Sequence, residues 1–218
     1  MGGGDKPLLL LGGRTLLARV LARIAPQAGP IALSANGDAA RLAAFGLPIL
    51  ADAPGDAAGP LAGVLAGLRW AARVAPAATH LLSVPGDTPF LPEDLVDRLR
   101  AALGGDAGRV ACAASAGRLH PTVALWPLGA ADALAAALAG GRHRVLAAAR
   151  EIGLAVADFA PAADAGELGD PFFNVNTPAD LAAAARALCG PPAARQGGEA
   201  SYERAASSIT SSMRRPPI

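Results

Sequence analysis

The chain has 218 residues, of which 52% are hydrophobic, 4% aromatic and 17% charged, with a formal net charge of +1 at neutral pH. A chain of this size buries roughly 70% of its unfolded surface, enough for one domain with a core of Ala, Leu and Val. With no basic excess and no aromatic-interleaved Lys/Arg clusters, the composition argues against nucleic acid and anionic membrane as partners.

The first eleven residues, Met1 to Leu11, place a glycine run directly before Asp5-Lys6. Glycines let backbone N–H groups approach an anion, and a lysine just beyond supplies a mobile charge for phosphate oxygens. The same run is also compatible with a floppy terminus. Thr15 is placed to cap a helix over about Leu16 to Ile24, ended by Pro26 and Gly29. Three short apolar runs then read as strands of a mostly parallel sheet: Ile31–Ala35 before Asn36, Leu47–Ala51 before Asp52, and His80–Val84 before Pro85-Gly86-Asp87. In open α/β sheets ligands bind outside the carboxyl ends of the strands, so Asn36, Asp52 and Asp87 should line one edge. The amide suits a base or ribose, and the carboxylates suit a ribose hydroxyl or Mg²⁺. Each position also fits simple turn chemistry.

Asp38 can cap a short helix to about Phe45. The segment from Gly59 to Trp70 carries glycines at 59, 63 and 67, one helical face that can lie close against the sheet. A helix follows Pro92-Glu93-Asp94 to about Leu103, and a strand spans Arg109 to Ala114. Arg118-Leu119-His120-Pro121 reads as a loop before the apolar run Thr122 to Trp126; His120 can serve there as a base or phosphate contact, or only shape a turn with Pro121. Alanine-rich helices follow around Asp132–Leu138 and Val145–Glu151. In Asp170-Pro-Phe-Phe-Asn-Val-Asn-Thr-Pro-Ala-Asp-Leu181, Thr177, Pro178 and Asp180 start a helix. Asn174 and Asn176, alternate residues of an extended segment, point one way and suit a polar substrate, or satisfy loop backbone groups. Residues 190–218 change to a polar, Pro-, Gly- and Ser-rich composition and are expected to form a disordered tail after a 1–189 domain. Cys112 and Cys189 form neither a CxxC pair nor a zinc pattern and read as free thiols. No signal peptide or long apolar run is visible, so a cytoplasmic location is the expectation.

Taken together, Met1-Gly-Gly-Gly-Asp-Lys6, Gly59-Pro-Leu-Ala-Gly63, Pro85-Gly-Asp-Thr-Pro89, His120-Pro121 and Asn174-Val-Asn-Thr-Pro178 resemble the MobA family, the molybdenum cofactor guanylyltransferases, from Met1 to about Cys189. The resemblance implies a Rossmann-like three-layer α/β/α nucleotidyltransferase fold that joins GMP from GTP to molybdopterin and releases pyrophosphate. It further implies that Lys6 contacts GTP phosphates, that Asn36 and Asp52 contact the nucleotide, and that Asp87 binds Mg²⁺ and nucleotide. Asn174 and Asn176 fall near the pterin substrate, and His120 is a further substrate contact. Other cofactor-biosynthesis proteins and acceptor molybdoenzymes are the implied partners. Transfer of CMP, or of a nucleotide to a sugar phosphate, is the alternative within the class; a non-catalytic pterin- or partner-binding protein is the alternative outside it. Family members begin with a strand and Leu-Ala-Gly-Gly a few positions before Arg-Met-Gly-Gly, whereas this chain starts at that methionine. The expectation is therefore a fold lacking its first strand, from a start placed inside a longer reading frame, with poor stability and weak activity in the chain as it stands.

Overall fold

The structure, a computed structural model, describes residues 6–52, 59–161 and 168–189. The glycine run at residues 2–4 and the tail from residue 190 lie outside them. In chain order the regular elements are β1 (Leu10–Leu11), β2 (Arg14–Thr15), α1 (Leu16–Ile24), β3 (Leu33–Ser34), β4 (Ile49–Leu50), α2 (Pro60–Val74), β5 (His80–Ser83), α3 (Leu95–Leu103), β6 (Val110–Ser115), β7 (Arg118–Pro127), α4 (Ala131–Ala139), α5 (Val145–Ile152), β8 (Leu154–Phe159) and α6 (Pro178–Leu188), with 3-10 turns at Lys6–Leu8, Ala39–Phe45 and Leu128–Ala130. The chain divides into two units, one comprising Met1–Gln27, Gly86–Glu93 and Pro161–Ile218, the other Ala28–Pro85 and Asp94–Ala160.

In the first unit, β1 and β2 form a hairpin that pairs Leu10 with Thr15 and Leu11 with Arg14. Its two-residue turn is Gly12-Gly13, with φ of 54° and 77°. Both central residues of such a turn need positive φ, which glycine adopts without strain. The Thr15 side chain accepts from Ala18 N at 3.1 Å and starts α1 at the residue expected. Leu16, Leu17, Val20, Leu21 and Ile24 form the buried stripe of that helix. The segment Gly86–Glu93 is tied to the end of α1: Arg23 pairs with Glu93 at 2.8 Å and Gln27 Nε2 donates to Pro92 O at 2.9 Å. A core of Leu11, Leu16, Phe90, Val175 and Ala184 gathers β1, α1, this segment, the Asn174–Asn176 strap and α6.

The second unit is a layered α/β body. β3 and β4 pair in parallel, and a four-stranded sheet has the order β5-β7-β6-β8. β7 runs antiparallel to both its neighbours while β6 and β8 are parallel, so β5, β6 and β8 all run one way. Leu154 of β8 joins the core that α2, α4 and α5 build over the sheet. Phe159, at the opposite parity of the same strand, takes the Arg98 guanidinium of α3 over its ring at 4.2 Å. Successive side chains of a strand face opposite ways, so helices cover both faces. α2 packs against β3, β4 and β5. Its glycines are at the contact: a Cβ at Gly63 would stand 2.6 Å from Ser34 Oγ, and one at Gly67 2.9 Å from Leu81 Cδ2.

Two local expectations are corrected. His120 and Pro121 are not in a loop; they belong to β7, which runs continuously from Arg118 to Pro127. The β6–β7 register shifts between Cys112 and Ala113, so that Cys112 pairs with Ala124 and Ala113 with His120. Pro121 falls in that irregularity and beyond the last β5 partner, Ala124, where no ladder N–H is required. The segment after Gly153, with no element expected in it, forms the strand β8.

Candidate functional site

In the first unit the sequence-predicted residues Lys6, Asp87, Asn174 and Asn176 come together. Pro7 and Leu17 lie against Gly86, where an added Cβ would sit 3.3 Å from Pro7 Cβ, and this close approach brings the Lys6 end of the chain beside Asp87. From the other side, Val175 is fully buried and its N–H donates to the Asp87 carbonyl at 3.0 Å. On either side of it, Asn174 has a buried side-chain oxygen and Asn176 is exposed. The Asn174 side chain hydrogen-bonds the Asp87 carboxylate. Lys6 Nζ donates to Asn176 Oδ1 at 3.0 Å.

The half-buried Asp87 carboxyl titrates above the ordinary aspartate range because burial penalises its charge; its own backbone N–H, the Lys6 ammonium and the Asn174 side chain oppose that rise. Burial thus dominates the partners that the protein provides. Two further polar atoms beside this carboxylate in the sequence or structure, Asn174 Oδ1 and Thr88 Oγ1, are buried without a hydrogen-bond partner. Such atoms are costly unless a ligand or water completes them.

Lys6 is the one lysine in a chain whose lysines and arginines total 19. Arginine fills every other cationic position, so the compact, rotatable ammonium stands only here, where a point charge suits phosphate oxygens.

In the second unit, Asn36 and Asp52 follow β3 and β4 at the carboxyl ends of that parallel pair, but β5, which leads to Asp87, belongs to the separate four-stranded sheet, so the single sheet edge expected for all three residues is not observed. Asn36 Nδ2 donates to Asp52 Oδ2 at 2.7 Å, and Asn36 Oδ1 accepts from Asp52 N at 3.0 Å. Arg41 steadies the loop by donating to the Asn36 carbonyl at 2.9 Å. His120 is half-buried, with its Nε2 2.7 Å from the buried Ser115 Oγ. The part of the site that sequence reasoning missed is the reach of Asp180, whose Oδ2 accepts from Thr177 N at 2.8 Å and also from Asn176 N at 2.9 Å.

Among the described residues no group of three or more His, Cys, Asp or Glu could hold a metal ion. A site for a hard cation completed by substrate phosphates needs only one or two carboxylates, and Asp87 with the orphaned Asn174 oxygen fits that pattern. No helix among the described residues is long and apolar enough to cross a membrane.

Solved structures share the α/β fold of this chain. Molybdopterin-guanine dinucleotide biosynthesis protein A from Archaeoglobus fulgidus matches with a TM-score of 0.64 at 22% identity, over 84% of this chain and 90% of that one. Rv0371c from Mycobacterium tuberculosis H37Rv, solved in complex with manganese, matches with a TM-score of 0.56 at 18% identity, over 84% and 93%. The family model of the MobA-like NTP transferase domain matches residues 1–153, and the chain belongs to that family. A molybdenum cofactor guanylyltransferase from Rhodopseudomonas palustris (strain HaA2) is 51% identical over 185 residues, 84% of each chain.

Proposed function

We propose that this chain transfers GMP from GTP to molybdopterin, giving molybdopterin guanine dinucleotide and pyrophosphate. The observation that carries this reading is the meeting of Lys6, Asp87, Asn174 and Asn176 in a family member half identical to guanylyltransferases. The terminal phosphate of molybdopterin attacks the α-phosphorus of GTP; a P–O bond forms there as the bond to the β-phosphate breaks. Lys6 keeps one N–H on Asn176 Oδ1 and turns its remaining donors to the triphosphate, which it holds in line. Asp87, with the Asn174 oxygen beside it, would hold Mg²⁺, and the ion would supply neutralisation of charge on the triphosphate and on the departing pyrophosphate. Asn36 and Asp52 contact the nucleotide, while Asn174, Asn176 and His120 contact the pterin substrate. No nucleophile or general base of the protein is needed; positioning and charge stabilisation carry the rate. The work is done in the cytoplasm, with cofactor-biosynthesis proteins upstream and molybdoenzymes receiving the product.

Nucleotide-dependent melting tests the reading, because a ligand bound only by the folded state raises the melting temperature. With Mg²⁺ present, GTP should raise it more than CTP or ATP, in this chain or in one lengthened upstream. A folded protein indifferent to all three nucleotides would overturn the guanylyl reading in favour of a binding protein; a larger shift with CTP would point to a cytidylyl enzyme.

A further inference from the structure

Resting on that reading of the Lys6 cluster, we infer that Asp180 is a positioning residue for GMP transfer: its carboxylate fixes the Asn176 backbone, and Asn176 in turn presents Lys6 to the triphosphate. Thr177 and Asp180 form a capping box at the start of α6, with Asp180 N donating to Thr177 Oγ1 at 3.1 Å. Capping requires only the bond from Thr177 N to the Asp180 carboxylate. The additional bond from Asn176 N, at 2.9 Å, reaches one residue before the cap. It fixes the peptide that carries the Asn176 side chain, whose Oδ1 takes the Lys6 ammonium. The peptide on the other side of that residue is held by the bond from Thr177 N to the same carboxylate, and Val175, just before it, is anchored in the core and to the Asp87 carbonyl. Asn176 is thus clamped at both flanking peptides although its own side chain is exposed. The two backbone donors, first Asn176 and then Thr177, hold the Asp180 carboxyl below the ordinary aspartate range, and the Lys6 charge adds to them. The Asp180 carboxylate is therefore ionised at neutral pH and accepts both bonds.

Two substitutions separate this role from helix capping. Thr177→Ala removes the bond that Asp180 N donates to Thr177 Oγ1 and leaves the bond from Asn176 N in place; Asp180→Ala removes the two bonds its carboxylate accepts, from Thr177 N and from Asn176 N, and leaves the backbone bond to Thr177 Oγ1. Asp180→Ala should lower kcat/KM for GTP about tenfold, the loss expected when one charge-assisted hydrogen bond is weakened by about 1.4 kcal/mol. Thr177→Ala should lower the melting temperature and leave kcat/KM within about twofold of the unsubstituted chain. In an Asn176→Ala background the Asp180→Ala loss should vanish, because interactions in series are non-additive. Asp180→Asn keeps an acceptor oxygen, should restore most of the rate, and serves if the alanine variant does not fold. Lys6 gives a readout that needs no turnover: as the one lysine, its acylation by an N-hydroxysuccinimide ester can be followed on a single peptide. Its acylation should be faster in Asp180→Ala than in Thr177→Ala. Equal kinetics and equal Lys6 reactivity in those two variants, or a full additive loss on Asn176→Ala, would overturn the inference while leaving GMP transfer intact. An unsubstituted protein that transfers no GMP would overturn the function itself and this inference with it.

Discussion

Val175→Ala tests whether the buried residue between the two asparagines builds the site. Val175 is fully buried in the core with Leu11, Leu16, Phe90 and Ala184, and its N–H is bonded to the Asp87 carbonyl. The substitution deletes two buried methyl-sized groups, about 1.6 kcal/mol at roughly 0.8 kcal/mol each. A partly collapsed cavity adds roughly 0.5–1 kcal/mol, bringing the loss to about 2–2.5 kcal/mol. For a domain of this length each kcal/mol moves the melting temperature by roughly 2–4 °C, so a fall of about 4–10 °C is expected. The backbone bond to Asp87 survives the substitution but the strap it anchors becomes looser, so kcat/KM for GTP should fall severalfold as Asn174 and Asn176 lose their fixed direction. Differential scanning fluorimetry and initial rates measure both quantities. A fall below about 1 °C with unchanged kinetics would refute the packing argument, since a residue in such a core cannot lose both γ-methyl groups without cost.

Asp87→Asn preserves shape and removes the charge that a divalent cation requires; Mg²⁺-dependent turnover should fall at least 100-fold while the melting temperature without Mg²⁺ changes little or rises. The pH dependence follows from burial raising the Asp87 pKa. The folded state then binds the proton more tightly than the unfolded one, so ionised Asp87 is a cost, and stability relative to Asp87→Asn should grow as pH falls from above the folded pKa to below the unfolded one. Over the same descent the Mg²⁺-linked rise in melting temperature should disappear, at a higher pH than an ordinary aspartate would give. Cys112 is fully buried with its thiol pushed up to about 11, whereas Cys189 is exposed at the end of α6. Iodoacetamide at pH 7.5, a condition chosen at about neutral pH where thiolate controls the rate, should therefore modify Cys189 in the native protein and Cys112 only after unfolding.

What was legible in the sequence was what local chemistry decides. Thr15, Asp38 and Thr177 each cap the element assigned to them, because a side-chain oxygen accepting a nearby N–H needs nothing beyond a few residues of chain. Asn174 and Asn176 stand out in the sequence as alternate residues of an extended segment, and the structure gives each a partner, Asp87 and Lys6. The adjacency of Asn36 and Asp52 followed from parallel pairing. The β1–β2 hairpin was hidden because two residues per strand carry no periodicity, although Gly12-Gly13 is a turn signal. β8 was hidden because Ala155 and Ala157 give a weak alternating pattern, and its burial comes from β6 and α3 rather than from its own hydrophobicity. The His120-Pro121 pair reads as a loop because proline is excluded from a regular ladder; only the register shift opposite Cys112 makes room for it. Asp180 looked fully explained by capping, and its second bond to Asn176 N became visible only in three dimensions.

The most direct measurement is product formation: the chain, alone and lengthened upstream, incubated with Mg²⁺, molybdopterin and GTP carrying labelled α-phosphate, with CTP and ATP in parallel. GMP transfer predicts label in a guanine dinucleotide with an equal amount of pyrophosphate released, dependent on Mg²⁺ and on Asp87, and little or no product from the other nucleotides. GTP bound without product, or label transferred preferentially from CTP, would contradict it.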